Sequence, residues 1–423
     1  MESTEDRIRW WREARFGMFI HWGLYSIAGL DCWNMHDSGI PAEEYARTLE
    51  PRFNPNKFDA RALVGLAKST GCKYVVMGAR HHEGYCLWDT KTTRFSSVSM
   101  TPKRDFIAEY VDAVREAGLG LGFYYSLLDW RHKAYWEGPR NNPQGWNRLV
   151  EYVHAQVNEL MTRYGKIDVL WYDGAWAPKS TRGWGFSPTN AELAESWRSA
   201  QLNTEVRRLQ PQILINNRSA RPEDFGTPEQ KITSEDRPWE LCDTMGDLWG
   251  AAPGDLNRKT PRELITRLIT SVSLGGNMLL NIGPNADGSV QSWQADIMAR
   301  IGVWMKVHGE AIYRCVGEPQ SPFNNTLAPW RTTRKDETLY LHLLRYPGPS
   351  FGIANIHDYW LESARVLDTG ERLGIVHEPE RDLIAGLPAV PPDDIATVVE
   401  IKVREKTEVE RKEAGLIAVD APV

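Results

Sequence analysis

At 423 residues, with 42% hydrophobic and 25% charged residues, the chain can hold one large and one small domain and is too apolar for disorder. A net charge of -6 gives no footing for nucleic acid or an anionic membrane as partner. Five widely spaced cysteines without a CxxC argue against a disulfide framework or a structural zinc site, and no run reaches the roughly 20 apolar residues of a membrane span.

The N-terminus, MESTEDRIRWWREARFG, is charged and has no apolar h-region, so the expectation is a cytoplasmic protein without a secretory signal. Residues 16–23, FGMFIHWG, read as a buried strand ending in His21 and Trp22. A helix follows over 57–70, with Gly71 as its cap, and then a strand over 73–80 leads to His81, His82 and Glu83. The amphipathic stretch 103–117 predicts a helix, and LGLGFYYSL (119–127) a strand leading to Asp129 and Trp130. Residues 146–164 carry apolar side chains at helical spacing. DVLWYDGAW (168–176) then reads as a buried strand that stops at Asp173-Gly174 between aromatics.

The alternation continues with a helix at 191–209 and the strand QILINNR (212–218), which ends in Arg218. Thr260-Pro261-Arg262-Glu263 is a capping box with Pro at the first helical position. NMLLNIG (277–283) is a further strand, and 292–307 the last long helix. At least six apolar strands alternating with helices fit a (β/α)8-like, TIM-type barrel of ~250 residues plus insertions. No glycine-rich phosphate loop follows the first strand, which weakens a dinucleotide-binding reading.

After Cys315 the texture changes to short strands at 337–345, 361–368 and 396–403, separated by Pro and Gly. The expectation is a catalytic barrel over 1–315 and a small all-β sandwich over 316–423, with the charged run from Arg404 as a solvated end or a last strand and frayed terminus.

In a barrel the residues just beyond the strands converge on one mouth. That places His21, Trp22, His81, His82, Glu83, Tyr125, Asp129, Trp130, Trp171, Asp173 and Arg218 together. Carboxylates, histidines, aromatics and an arginine suit a polar ligand with apolar faces, such as a sugar, and the 18 tryptophans suit stacking on it or a Trp-rich core. Neighbouring side chains of a strand point to opposite faces, so His81 and His82 are poorly placed to share a metal, and no metal or cofactor is expected. Hydrolysis of a glycosidic bond needs two carboxyl groups. Asp173 suits the ionised one. Glu223, Asp224, Glu229, Glu235, Asp236 and Glu240 are candidates for the acid, among which spacing does not choose.

FGMFIHWGLYS, KYVVMGARHHEGYCLW, GLGFYYSLLDW, DVLWYDGAW, FGTPEQ, PWELCDTMGDLWG and NMLLNIGPNADG together resemble the α-L-fucosidases of glycoside hydrolase family 29, in order from about residue 8 to 315. The resemblance implies a barrel with a C-terminal β-sandwich, no metal, and a retaining exo-α-L-fucosidase acting on a fucosylated oligosaccharide or glycoconjugate. It gives Asp173 the nucleophile's place and Glu229, in DFGTPE, that of the acid/base, with Glu240 in reserve. It assigns His21, Trp33, His81, His82, Tyr125, Trp171 and Arg218 to substrate binding. The methyl group at C6 of fucose calls for an apolar patch in the pocket. One departure stands out: Cys32 precedes Trp33 where the family often has Glu. A thiol is a weaker acceptor, so His36 or Asp37 replaces that Glu, affinity falls, or the preferred sugar differs slightly. The rival readings are a metal-dependent barrel hydrolase using His21, His81, His82 and Asp173, and a non-catalytic fucose-binding protein. A homo-oligomer is compatible with the sequence.

Overall fold

A computed structural model of the chain describes residues 4–178, 184–317, 329–354 and 358–413. They form two compact units: Met1–Lys259 with Leu279–Ala299, and Thr260–Met278 with Arg300–Val423.

The first unit is built around a seven-stranded sheet. Its strands are β1 (Phe16–Ile20), β2 (Tyr74–Arg80), β3 (Gly120–Ser126), β4 (Val169–Asp173), β5 (Leu214–Ile215), β6 (Glu240–Asp243) and β7 (Asn277–Ile282), in the spatial order β5-β4-β3-β2-β1-β7-β6. The pairs from β1 through β5 are parallel. Strands β1, β2 and β4 are buried at every position, as continuous apolar runs covered on both faces must be. The intervening helices follow their sequence signals. Asp59 and Asp105 cap the helices Ala60–Thr70 and Phe106–Ala117, whose ends turn through left-handed Gly71 and Gly118.

The two ends of this sheet meet through residues 224–229. Parallel bridges join Asn216 to Phe225, Gly226 to Trp239 and Glu229 to Cys242. The segment therefore lies between β5 and β6 as an irregular eighth stave and closes the barrel. Here the chain departs from the expected pattern. The strand expected over 212–218 shortens to Leu214–Ile215, and a 3-10 turn, Asn217–Ser219, follows. The reason is Asn216. Its side-chain oxygen accepts from Tyr172 N–H (2.9 Å) and its amide donates to Tyr172 C=O (2.9 Å), so a side chain does the pairing and frees the backbone to turn. The helix expected over 191–209 is two helices, Asn190–Ser196 and Ser199–Leu209, broken at Arg198 with φ 51°.

The second unit carries an eight-stranded sheet. Its strands are β8 (Val316–Gly317), β9 (Trp330–Lys335), β10 (Thr338–Leu343), β11 (Ser350–Ala354), β12 (Tyr359–Val366), β13 (Arg372–His377), β14 (Arg381–Ala385) and β15 (Thr397–Glu405). The order is β11-β14-β13-β12-β15-β10-β9-β8, with antiparallel pairing. Strand β13 pairs with β12 through Arg372 and Leu373 and with β14 through Gly374–His377, so the sheet turns a corner there. Leu339, Leu341, Ile353, Leu361, Ile384 and Ile401, from both sides of that corner, share one core, which makes the unit a β-sandwich. Strands β10, β12 and β15 are those read from the sequence; β9, β11, β13 and β14 have shorter or more polar runs. The charged run beyond Arg404 finishes β15 and forms a short helix, Glu408–Glu413. The helix Pro261–Ser273 belongs to this unit and opens with the expected capping box: Thr260 and Glu263 satisfy each other's backbone N–H groups. Arg262 holds it to the carbonyl of Ile395 (2.8 Å).

Candidate active site

A cavity of about 360 Å³ opens at the carboxyl ends of the barrel strands. Asp173, the last residue of β4, lies in its wall, and Gly174 follows at φ 80°. A side chain there would be strained and would press on Leu128, so the turn that stops the strand at the carboxylate requires glycine.

Three groups converge on the Asp173 carboxylate. The hydroxyl of Tyr124 donates to Oδ2 (3.0 Å), Nη1 of Arg218 donates to Oδ1 (3.1 Å), and Nε2 of His82 stands 3.6 Å from Oδ2. Arg218 reaches across to a second carboxylate as well, its Nη2 donating to Oε2 of Glu229 (2.8 Å). One guanidinium thus spans the two acids, and it is fixed while doing so. Its Nε donates to Thr227 Oγ1 (2.9 Å), and its plane lies 4.7 Å above the ring of Trp171. Glu229 projects from the closing stave beside Cys242, and Gln230 (φ 53°) turns the chain immediately after it.

His82 and His21 are held in defined tautomers. The hydroxyl of Ser126 donates to the carbonyl of Leu128 (2.8 Å), so it accepts from Nδ1 of His82 (2.7 Å). Nδ1 of His82 then carries the proton, and Nε2 is left as a buried acceptor without a partner among the described residues. Nδ1 of His21 pairs with Oδ1 of Asn281 (2.7 Å), whose amide is itself fixed by the carbonyl of Trp249 (2.7 Å). Burial holds His21 below the ordinary imidazole pKa, and His81 and His82 well below it, so all three are neutral at pH 7.

The apolar wall is Phe19, Trp171 and Trp249, with Trp33 and Trp176 stacked at 6.3 Å and 9°. Asp31 ties two of these loops together, its carboxylate accepting from Trp249 N–H (3.0 Å) and Gly250 N–H (2.8 Å). Cys32 lines the cavity; His36 instead pairs with Asp37 (3.0 Å) and stacks on Trp136.

Two carboxylates under one arginine, with neutral buried histidines and an apolar wall, make a site suited to acid–base chemistry on a polar ligand with apolar faces. The model of the family described as alpha-L-fucosidase matches residues 1–310. The chain belongs to the alpha-L-fucosidase family. It is a glycoside hydrolase with a barrel and a β-sandwich. It is 29% identical to the tissue alpha-L-fucosidase of Rattus norvegicus, over 91% of this chain and 86% of that protein. Among solved structures, alpha-L-fucosidase isoenzyme 1 from Paenibacillus thiaminolyticus shares 34% identity over 95% of this chain and 100% of that one, with a TM-score of 0.83. A Bacteroides thetaiotaomicron alpha-L-fucosidase, trapped as a covalent intermediate with 2-fluoro-fucosyl fluoride, shares 29% identity over 94% and 96%, with a TM-score of 0.84.

In this fucosidase the structure brings His21, Trp33, His81, Trp171, Asp173, Arg218 and Glu229 together in the cavity wall, with His82 directly behind Asp173. Tyr125 is a correction. Successive residues of β3 face opposite sides, and it is Tyr124 that enters the cavity. The Tyr125 hydroxyl donates to Gln156 of the outer helix (2.8 Å), under the guanidinium of Arg80. Trp22 and Asp129 also lie away from the cavity: Trp22 stacks on Phe58, and Asp129 is paired with Arg131 (2.6 Å). Glu240 sits inside the barrel, fully buried, bound by the Tyr74 hydroxyl and by Nε1 of Trp171 (3.1 Å). Burial raises it to about 7 against those hydrogen bonds. Glu223 and Asp224 are taken by Arg207 (2.8 and 3.0 Å). The sequence reading missed Tyr124, Asn281, Trp176 and Trp249 as site residues, although all four fall in or beside the strand-end blocks. Among the described residues, the one His/Cys/Asp/Glu group spaced for a metal is His308, Asp368 and Asp393, in the second unit.

Proposed function

We propose that the chain is a retaining exo-α-L-fucosidase that releases terminal fucose from oligosaccharides or glycoconjugates. The observation that supports this reading is the single arginine hydrogen-bonded to both Asp173 (3.1 Å) and Glu229 (2.8 Å), which gathers two carboxyl groups at one cavity. Retention calls for a carboxyl separation of ~5–5.5 Å, against ~6.5–9.5 Å for inversion. Asp173 attacks the anomeric carbon and forms a glycosyl-enzyme. Glu229 protonates the leaving oxygen, then takes the proton of the water that hydrolyses the intermediate. Arg218 supports both steps by neutralising whichever acid is ionised.

A cavity of about 360 Å³ is at the small end of the ~300–1,000 Å³ usual for ligand sites, which favours one terminal sugar over an internal stretch of chain. Phe19 and Trp249 offer the apolar surface a C6 methyl needs. The burial of Asp173 against the exposure of Glu229 fits an attacking group beneath the sugar and an acid at the mouth, where the leaving group departs. Glu240 is enclosed by Tyr74 and Trp171 and is the weaker acid/base candidate.

The test is release of nitrophenol from a nitrophenyl α-L-fucoside. Asp173→Ala should lower kcat on the order of 10⁴-fold. Glu229→Ala should lower it about 10²–10³-fold and be partly rescued by azide. Near-native turnover in Glu229→Ala would move the acid/base role to another carboxylate.

A further inference from the structure

Behind the cavity wall two buried polar atoms face each other unpaired. Nδ1 of His81 and Oε2 of Glu83 are each buried without a hydrogen-bond partner among the described residues, and they stand 3.8 Å apart. Glu83 is 1% exposed, and its loop is locked by Gly84 (φ 82°), where a side chain would collide with Asp129 and Arg131. His81 itself lines the cavity, so with Nδ1 turned inward its Nε2 is the nitrogen offered to a ligand.

We infer that Glu83 is a positioning residue that directs its carboxyl O–H toward Nδ1 of His81 and so fixes His81 as the Nε2–H tautomer. The two adjacent histidines then carry opposite tautomers. His82 presents a bare Nε2 because its Nδ1–H is spent on Ser126, whereas His81 presents an N–H. His81, in the cavity wall, thereby offers a sugar hydroxyl a donor, while the acceptor of His82 is turned toward Asp173 behind the wall. The inference rests on the fucosidase reading only for the identity of that hydroxyl.

The protonation of Glu83 agrees with the donor role. Burial raises its carboxyl to about 8, so it is an acid at neutral pH and can donate to Nδ1. The charges that face it are Asp129, which reinforces the rise, and Arg131 and Arg80, which oppose it. Tyr25, Tyr45 and Cys32, the titratable groups on the neighbouring loops and helices, are driven by burial well above their ordinary values, and Tyr85 upward too, so they stay neutral. Once ionised, Glu83 becomes an acceptor. Nδ1 must then carry the proton, and His81 loses the N–H it shows the cavity.

The experiment compares the full native chain with Glu83→Gln, whose amide can still donate, and Glu83→Leu, which cannot. Nitrogen-15 NMR of histidine-labelled protein, with His81 assigned through His81→Asn, reads the tautomer without any turnover. The native chain and Glu83→Gln should show Nε2–H at pH 6.5, and Glu83→Leu should lose it. With the nitrophenyl fucoside, KM in Glu83→Leu should rise about tenfold while kcat changes less than threefold. The native kcat/KM should fall above pH 8, and that limb should vanish in Glu83→Gln. The same His81 tautomer in all three proteins, or an unchanged alkaline limb in Glu83→Gln, would overturn the inference. If Glu83→Leu does not fold, the Glu83→Gln pH profile and the native tautomer still decide. A native chain inert toward fucosides but with a Glu83-dependent tautomer would sink the fucosidase reading alone.

Discussion

On one side of the barrel, Asp173 ends a regular strand, its side chain 10% exposed and its neighbours β3 and β5 in register with β4. Two staves on, past β5, Glu229 stands on a segment joined to its neighbours by isolated bridges, its side chain 43% exposed and a left-handed residue directly after it. The contrast matches the two tasks. A nucleophile gains from a fixed, dehydrated position, because the bond it makes tolerates little misplacement. A group that first gives and then takes a proton needs access to a leaving group and then to water. Arg218 is the physical link between the two sides, and it exists only because Asn216 replaces a strand's backbone pairing and lets the chain turn.

The sharpest way to break this comparison is to cut that link. Arg218→Lys keeps the charge but cannot place separate N–H groups on both carboxylates, nor stack flat on Trp171. It should lower kcat/KM about 10²-fold with the fold intact. A loss under about threefold would mean that the two acids are placed independently and that the arginine's double contact is incidental. The comparison to make is with the native chain on the same nitrophenyl fucoside, with circular dichroism as the control for folding.

A finer cut separates the inner and outer faces of the regular side. Tyr124→Phe removes a hydrogen bond to the Asp173 carboxylate and should lower kcat/KM on the order of tenfold with little change in stability. Tyr125→Phe removes a bond to Gln156 in the helical layer. It should lower unfolding free energy by about 1 kcal/mol in urea titrations while kcat/KM stays as it was. If the two effects were exchanged, the register of β3 would be wrong.

That pair also shows what the sequence can and cannot say. Continuous apolar runs announced β1 to β4 and β7, and the abrupt polar residues at their ends announced His21, His81 and Asp173. The same runs hide which face each residue takes, because a strand covered on both sides has no polar alternation to read. Hence Tyr125 was expected in the pocket and Tyr124 was found there. On the irregular side no period exists to be read. The stave that carries Glu229 is built by bridges, a proline and a left-handed turn. Glu229 could be picked out only through the resemblance of the FGTPEQ block to a known family. Asn281 was legible as part of a strand, but its grip on His21 depends on the closure of the barrel, which joins residues 260 apart.

The buried acid beneath Trp171 gives the most specific test. Glu240 has an unfolded-state pKa near 4.3 and a folded value of about 7, raised by burial. A raised carboxyl contributes its full stability below the unfolded pKa and loses it as pH rises through the folded one. Over pH 4.5 to 7 the native chain should therefore lose stability, by at most about 3 kcal/mol from this residue. Glu240→Gln has nothing to ionise and can still bond the Tyr74 hydroxyl and the Trp171 N–H. Its unfolding free energy should be flatter across that window, and its kcat should stay within about threefold of native, because the residue holds Trp171 rather than the sugar. Glu83, raised to about 8, adds a slope of the same sign that persists in the variant up to higher pH, so the two contributions separate by where they end. An unchanged slope between pH 4.5 and 7 in Glu240→Gln would show that Glu240 is ionised in the folded chain. The barrel interior beneath the nucleophile would then be a charged site rather than a neutral one.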